Sequence, residues 1–178
     1  MAGIGIPQMT AIFESVAAAT VANTPVISDG GIKHSGDIVK ALAGGASCVM
    51  IGGLFAGTEE SPGDIEYFNG KMYKSYRGMG SLSAMERGGR DRYGQTEIRD
   101  SEKLVPEGVE GRVQYKGKMK NILTMLEGGI RAGLGYCGTK NVKELQKNAQ
   151  FIRVTAAGVR ESHPHDVEIT KQPPNYSL

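Results

Sequence analysis

The first third of the chain alternates between helical spacing of apolar residues and two short, continuous apolar runs. Residues 8–22, QMTAIFESVAAATVA, predict a helix, with Pro7 where a helix start tolerates proline. The runs PVIS and SCVMIGG each predict a buried strand. Between them, GDIVKALAGG predicts a second helix, with Ser35 as its N-cap and Gly44 and Gly45 at its end. Continuous apolar strands are typical of a parallel sheet covered on both faces.

The pattern changes from residue 65 onward. Asn69-Gly70 lies between two β-prone arms in EYFNGKMYKSY, which predicts a tight hairpin. Residues 83–111 are polar and glycine-rich with little periodicity, and a loop of this length predicts a lid or a disordered segment. Two further helices are predicted in KGKMKNILTMLEGGIRAGLGYCG and VKELQKNAQ, a small strand in QFIRVT, and an extended tail in ESHPHDVEITKQPPNYSL.

Composition narrows the class of protein. The 178 residues carry a formal net charge of +2 with both signs mixed along the chain, which does not favour nucleic acid as a partner. Membrane-length apolar runs and a signal peptide are not found, and the two cysteines fit a reducing cytoplasm better than a disulfide framework. The 26 glycines indicate many backbone turns around a ligand.

Both predicted strands end in a glycine pair, and the first pair directly follows an acid. In parallel sheets and barrels the carboxyl ends of the strands face one crevice, where glycines let backbone N–H groups approach an anion. Asp29 could accept hydrogen bonds from two vicinal sugar hydroxyls. The two pairs together predict a ribose phosphate site, with a tight turn as the alternative for either pair alone.

The blocks PVISDGGIKHSGDIVKALAGGASCVMIGGLFAGTEESPG, YRGMGS, DRYGQ, LVPEGVEG and ESHPHDV, in this order, resemble the C-terminal part of the IMP dehydrogenase family. Some blocks are shared with GMP reductase, which has the same barrel. The resemblance implies an α/β fold, the C-terminal part of a (β/α)8 TIM barrel with a β-hairpin, a long mobile flap and an extended tail. It implies a single catalytic-domain fragment over 1–178: the last βα units of the barrel in 1–64, hairpin and flap in 65–117, and C-terminal helices and tail in 118–178.

The resemblance also implies a role for individual residues. In the family the ribose hydroxyls are held at the position of Asp29 and the phosphate by glycines and a tyrosine. The backbone at the positions of Met79 and Gly80 contacts the base, and a glutamate reads the N1 edge of the purine. A flap pair activates water, and a tail segment helps to bind K⁺. The matching positions for IMP are Asp29, Gly30, Gly31, Gly52, Gly53, Tyr76, Met79, Gly80 and Glu107; for the flap, Arg92 and Tyr93; for K⁺, Glu161, Ser162 and His163.

The family oxidises IMP to XMP with NAD, and the resemblance implies NAD and K⁺ as cofactors, IMP as substrate and a homotetramer in the cytoplasm. Some members have serine at the position of Gly53, so that contact would be made by backbone alone here. From residue type alone, RGGRDRYG is a solvated charge run, and His163, His165 and Asp166 could indicate a transition metal instead of K⁺.

The catalytic cysteine of the family lies in a Ser-x-Cys-x-Thr loop that this sequence does not contain. Cys48 falls in a predicted buried strand and Cys137 after a helix, so neither is expected to be the nucleophile. A cleaved or split chain working beside an N-terminal segment, a truncated chain, and a natural half-barrel that only binds nucleotide would each fit. These 178 residues alone are expected to turn over no IMP. The rival functions are a GMP reductase and a non-catalytic binding or assembly module.

Overall fold

The computed structural model describes residues 4–89, 91, 94, 97 and 105–170. The chain divides into two compact units. Among the described residues, one unit comprises residues 6–51 together with 122–170, and the other comprises residues 4–5 together with those of 52–121. Each contains helices and strands, so the α/β class predicted from the sequence is confirmed. None of the helices in the described residues is long and apolar enough to cross a membrane.

The unit formed by residues 6–51 and 122–170 is built on a parallel strand pair. Strands β1 (Ile27–Asp29) and β2 (Cys48–Met50) run parallel, with Asp29 opposite Met50. The helices of the first part of the chain are α1 (Gln8–Val21) and α2 (Ser35–Ala43). Those of the later part are α5 (Met119–Tyr136), which enters this unit at residue 122, α6 (Val142–Asn148) and α7 (Ala156–Glu161).

The core of this unit lies where α1, α2 and the start of β2 meet. Ile12, Ala41 and Ala46 are buried there, and Met9, Val16 and Val49 pack against them. Apolar residues of α1 at helical spacing therefore face the sheet, as the pattern predicts. A side chain at Gly45 would collide with Val16, since its Cβ would lie 2.6 Å from Cγ1 of that valine.

Two glycines on α5 allow that helix to approach α2 closely. A Cβ at Gly129 would lie 2.1 Å from the hydroxyl oxygen of Ser35, and one at Gly133 would lie 2.7 Å from a methyl of Val39. These glycines are four residues apart and therefore share one face of the helix. The contact fixes the start of α2, and with it the loop that follows β1.

The unit formed by residues 52–121 contains an antiparallel sheet in the order β3–β4–β5. Its strands are β3 (Ile65–Phe68), β4 (Lys71–Arg77) and β5 (Glu110–Gln114). Asn69 and Gly70, with φ of +48° and +71°, form the two-residue turn between β3 and β4. Helix α3 (Gly53–Ala56) precedes the sheet, and α4 (Leu82–Ala84) with a π-helical turn (Met85–Gly89) follows β4.

Three expectations from the sequence are wrong. The N-cap position of α2 is His34, because the helix already begins at Ser35. QFIRVT contains no strand; the segment is irregular and then enters α7, which the pattern did not predict. Cys48 is exposed, as are Ile27 and Met50, because in the described residues β1 and β2 form a two-stranded sheet whose alternate side chains point away from the helices.

Candidate functional site

The loop after β1 carries the first three predicted site residues. Asp29 is the last residue of the strand, and its side chain is exposed. Gly30 and Gly31 have φ of +104° and +77°, so their conformation requires glycine, whereas a Cβ on either would meet nothing within 4 Å. The side-chain amide of Gln8 donates to the carbonyl of Asp29 at 2.9 Å and fixes the loop against α1. The glycine backbone therefore borders open space.

The N-terminus of α2 closes this loop on its other side. One carboxylate oxygen of Asp37 accepts the backbone N–H groups of Lys33 and His34, both at 3.0 Å, and the other lies 2.8 Å from the ammonium of Lys40. Burial alone would raise the pKa of Asp37, but the hydrogen bonds from Lys40, His34 and Lys33 outweigh it and lower that pKa. Beside the loop lies a cleft of about 140 Å³ that Gly30, Gly31 and Lys40 help to line.

The second glycine pair lies at the start of α3, in the unit of residues 52–121. Gly52 is the N-cap residue, and its carbonyl accepts the N–H groups of Phe55 and Ala56, both at 3.0 Å. A Cβ on Gly52 or Gly53 would meet nothing within 4 Å. The ammonium of Lys116 lies 3.5 Å from the carbonyl oxygen of Gly53, and partial burial lowers the pKa of this lysine.

The structure brings two distant parts of the predicted base site together. The carbonyl of Gly80 accepts the backbone N–H groups of Glu107 at 2.8 Å and of Gly108 at 2.9 Å. A Cβ on Gly108 would lie 2.8 Å from the backbone nitrogen of Ser81, so the two segments touch backbone to backbone. Met79, beside Gly80, is 58% exposed. Met79, Gly80 and Glu107 thus meet in one loop pair.

The sheet anchors this loop pair at its base. Tyr76 is half-buried on β4 and pairs with Gly111 on β5, while Gly78 donates to the carbonyl of Val109 at 2.9 Å. Glu110 accepts the backbone N–H of Ser83 at 3.0 Å, and the hydrogen bonds from Ser83 lower the pKa of this carboxyl. The β4–β5 ladder therefore runs directly into the contact between residues 78–81 and 107–109.

The predicted cation-binding residues lie at the end of α7. Glu161 is the last residue of the helix, and the hydroxyl of Ser162 donates to the carbonyl of Gly158 at 2.7 Å. The ring of His165 lies 2.9 Å from the carbonyl oxygen of His163 and 3.6 Å from a carboxylate oxygen of Glu161. In the part of the chain that the structure describes, no three His, Cys, Asp or Glu side chains come together to hold a metal ion.

Arg92 and Tyr93, the predicted flap pair, lie outside the described residues. The sequence interpretation overlooked Lys74, a buried lysine on β4 whose ammonium contacts the loop after α3. Its only signal in the sequence is the alternation of β4, which places it on the same side of the strand as Tyr76.

The chain resembles known proteins over its whole length. A family model described as IMP dehydrogenase / GMP reductase domain matches residues 1–165. The chain is 59% identical over 178 residues to an inosine-5'-monophosphate dehydrogenase of Halalkalibacterium halodurans, and 59% identical over 177 residues to one of Aquifex aeolicus. It is 53% identical over 178 residues to one of Streptococcus pyogenes.

These matches cover 99–100% of the chain but only 36% of the length of each relative. The resemblance predicted from the motif blocks is therefore confirmed, with the chain corresponding to about a third of such a protein. The chain belongs to the IMP dehydrogenase / GMP reductase family.

Proposed function

We propose that this chain is part of an NAD-dependent IMP dehydrogenase and supplies the site that holds IMP. The observation that carries the proposal is the contact between Gly80 and Glu107. These residues are far apart in sequence, and both were assigned to the base from the family motifs alone. Since the Gly80 carbonyl is already used by two N–H groups, Gly80 would contact a base through its N–H.

The proposed roles follow the chemistry of each group. The Asp29 carboxylate accepts hydrogen bonds from the ribose hydroxyls, and the Glu107 carboxylate accepts one from the N1–H of hypoxanthine. The family motifs alone assign the phosphate to backbone N–H groups of the glycine pairs and to the hydroxyl of Tyr76. NAD, when bound, would supply the acceptor for the hydride that leaves C2 of the purine, and the cysteine thiolate that adds at C2 would come from outside these 178 residues. Arg92 and Tyr93 then activate the water that releases XMP.

The remaining parts of the proposal, which are the cation site and the assembly, have unequal support. Glu161, Ser162 and His163 present carboxylate, hydroxyl and carbonyl oxygens within one helix end, and oxygen atoms suit a hard cation such as K⁺. These residues would hold the ion and order the tail. The barrel architecture, homotetramer and cytoplasmic location are proposed from the family alone.

A segment exchange tests the function. The matched segment of the Halalkalibacterium halodurans dehydrogenase is replaced by this chain, and NADH formation is followed with IMP as substrate. We expect IMP-dependent NADH formation. Asp29→Asn should raise KM for IMP about 10- to 100-fold, because hydrogen bonds to a charged group are worth about 1.5–3 kcal/mol. Asp64→Asn, at an exposed aspartate before β3, is the matched control and should leave KM unchanged.

The family also includes GMP reductases. The dehydrogenase with the exchanged segment distinguishes the two activities. Consumption of NADPH with GMP, without NADH formation from IMP, would show that the proposed activity should be that of a GMP reductase and not that of an IMP dehydrogenase. Binding of IMP without either reaction would favour a binding module. An unchanged KM in Asp29→Asn would show that the ribose is held elsewhere.

A further inference from the structure

The ammonium group of Lys74 is enclosed by backbone carbonyl oxygens. Lys74 is 3% exposed, and its Nζ donates to the carbonyls of Thr58 at 3.1 Å and Glu59 at 3.3 Å and to that of Ser61. A lysine ammonium has three N–H donors, so the three carbonyls match its hydrogen-bonding capacity. Within the described ranges, no carboxylate forms an ion pair with it.

A buried charge without a counter-charge is costly unless polar groups replace its water. Carbonyl oxygens arranged around a cation replace a hydration shell, as they do for ions in channel filters. The segment from Thr58 to Ser61 is therefore held in one conformation, since all three carbonyls must point at the same nitrogen atom.

The same segment caps the end of α3. The hydroxyl of Thr58 donates to the carbonyl of Phe55 at 2.7 Å, and the hydroxyl of Ser61 donates to that of Ala56 at 2.6 Å. Thr58 is completely buried. A continuous series of hydrogen bonds thus runs from Lys74 through this segment to α3, the helix that begins with Gly53.

Lys74 also stands two residues from Tyr76 on β4, and alternate residues of a strand share a face. One side chain therefore connects β4, which carries Tyr76, with α3, which carries the second glycine pair. We infer that Lys74 is a positioning residue that fixes α3 relative to β4, so that Gly53 and Tyr76 can contact the same phosphate. This inference rests on the proposed function of the site.

The first test measures hydrogen–deuterium exchange of the whole chain. Lys74→Met keeps most of the length and the apolar character of the side-chain stem but removes the charge and the donors. We expect amides of the peptide covering residues 55–61 to exchange about tenfold faster, the scale of one or two lost hydrogen bonds. Lys71→Met, at an exposed lysine of the same strand, makes the same charge change and should leave this peptide unaffected.

A conservative variant separates hydrogen bonding from packing. Lys74→Arg restores the charge and the donors, although the N–H groups of its planar fork do not all radiate from a single nitrogen atom toward the three carbonyls. It should recover part of the protection that Lys74→Met loses. Protection in Lys74→Met equal to that of the parent chain would overturn the inference, because packing alone would then hold the segment. Peptides of β5, which pairs with β4 in the same unit, report whether each variant is folded.

The second test uses the segment exchange in the Halalkalibacterium halodurans dehydrogenase. Lys74→Met should raise KM for IMP about tenfold and leave kcat within about twofold, since phosphate contacts hold substrate and transition state alike. If the exchanged dehydrogenase is active and Lys74→Met leaves its KM unchanged, the inference is overturned and the proposed function stands. A parent without IMP-dependent activity contradicts the proposed function itself.

Discussion

At the scale of single residues, the ionisation of Asp37 controls how the loop after β1 is closed. Its pKa lies below the ordinary value of 3.8, and the ionised form holds the N–H groups of Lys33 and His34. For a carboxyl with a lowered folded pKa, the stabilisation is present above the unfolded pKa and is lost as pH falls through the folded pKa. Asp37 therefore stabilises the chain at neutral pH but not in strong acid.

The variant Asp37→Asn tests this role of the charge. It should lower the free energy of unfolding by about 1 kcal/mol at pH 7, the usual value of a helix cap, and by much less below the folded pKa of Asp37. Urea unfolding at a series of pH values measures this difference. Lys40→Met removes the largest of the interactions that lower the pKa, so it should act in the same direction with a smaller effect. A loss in Asp37→Asn that does not depend on pH would contradict the role of the charge.

Gly108 lies in close backbone contact with the loop of the predicted base site. Its Cβ would lie 2.8 Å from the backbone nitrogen of Ser81 and 2.9 Å from the carbonyl carbon of Gly80, and backbone atoms cannot rotate away. Gly108→Ala should therefore separate the two segments, cost roughly 1–3 kcal/mol of stability and raise KM for IMP in the exchanged dehydrogenase. Gly111→Ala, where a Cβ would meet nothing within 4 Å, is the control. Equal effects of the two variants would argue against the close contact.

At the scale of elements, α5 contains two adjacent glycines with opposite expected behaviour. A Cβ at Gly129 would collide with Ser35, whereas one at Gly128 would meet nothing within 4 Å. Alanine favours a helix over glycine by up to about 1 kcal/mol, so Gly128→Ala should stabilise the chain by roughly that amount. Gly129→Ala should destabilise it, because overpacking costs about 1–3 kcal/mol and exceeds the same gain. Thermal unfolding of both variants checks the sign, and a stabilised Gly129→Ala would show that α2 and α5 are not in close contact.

The elements also show what the sequence can and cannot predict. Helix α1 and strands β1 and β2 follow from apolar spacing and glycine stops, which are local properties of the chain. QFIRVT has the residue types of a strand, but a strand forms only where a neighbouring strand offers hydrogen bonds, and here the described residues offer none. The exposure of Cys48 was missed for a similar reason, because burial depends on which elements cover a sheet and not on the strand itself.

At the scale of the whole molecule, the predictable part of the candidate site is the part encoded in motifs. The contact between Gly80 and Glu107 lies between two blocks that the sequence had already assigned to the base. Lys74 was not predicted, because a lysine inside a polar hairpin arm is normally exposed and only the tertiary structure reveals the three carbonyls around it. Motifs therefore indicate the residues that would touch a ligand, whereas the residues that position them emerge from packing.

Neither of the two cysteines of the chain is expected to be the nucleophile. Cys48 and Cys137 are free and exposed, yet Cys48 pairs with Ile27, two residues before Asp29 in the register, which places it roughly 7 Å short of the strand ends. Cys137 follows α5 and donates its backbone N–H to Gly133. We therefore expect the purified 178-residue chain to form no NADH from IMP, and the exchanged dehydrogenase to keep its activity in Cys48→Ser and Cys137→Ser. Loss of activity in either variant, with IMP still bound, would assign the nucleophile to this chain, and steady NADH formation by the chain alone would do the same.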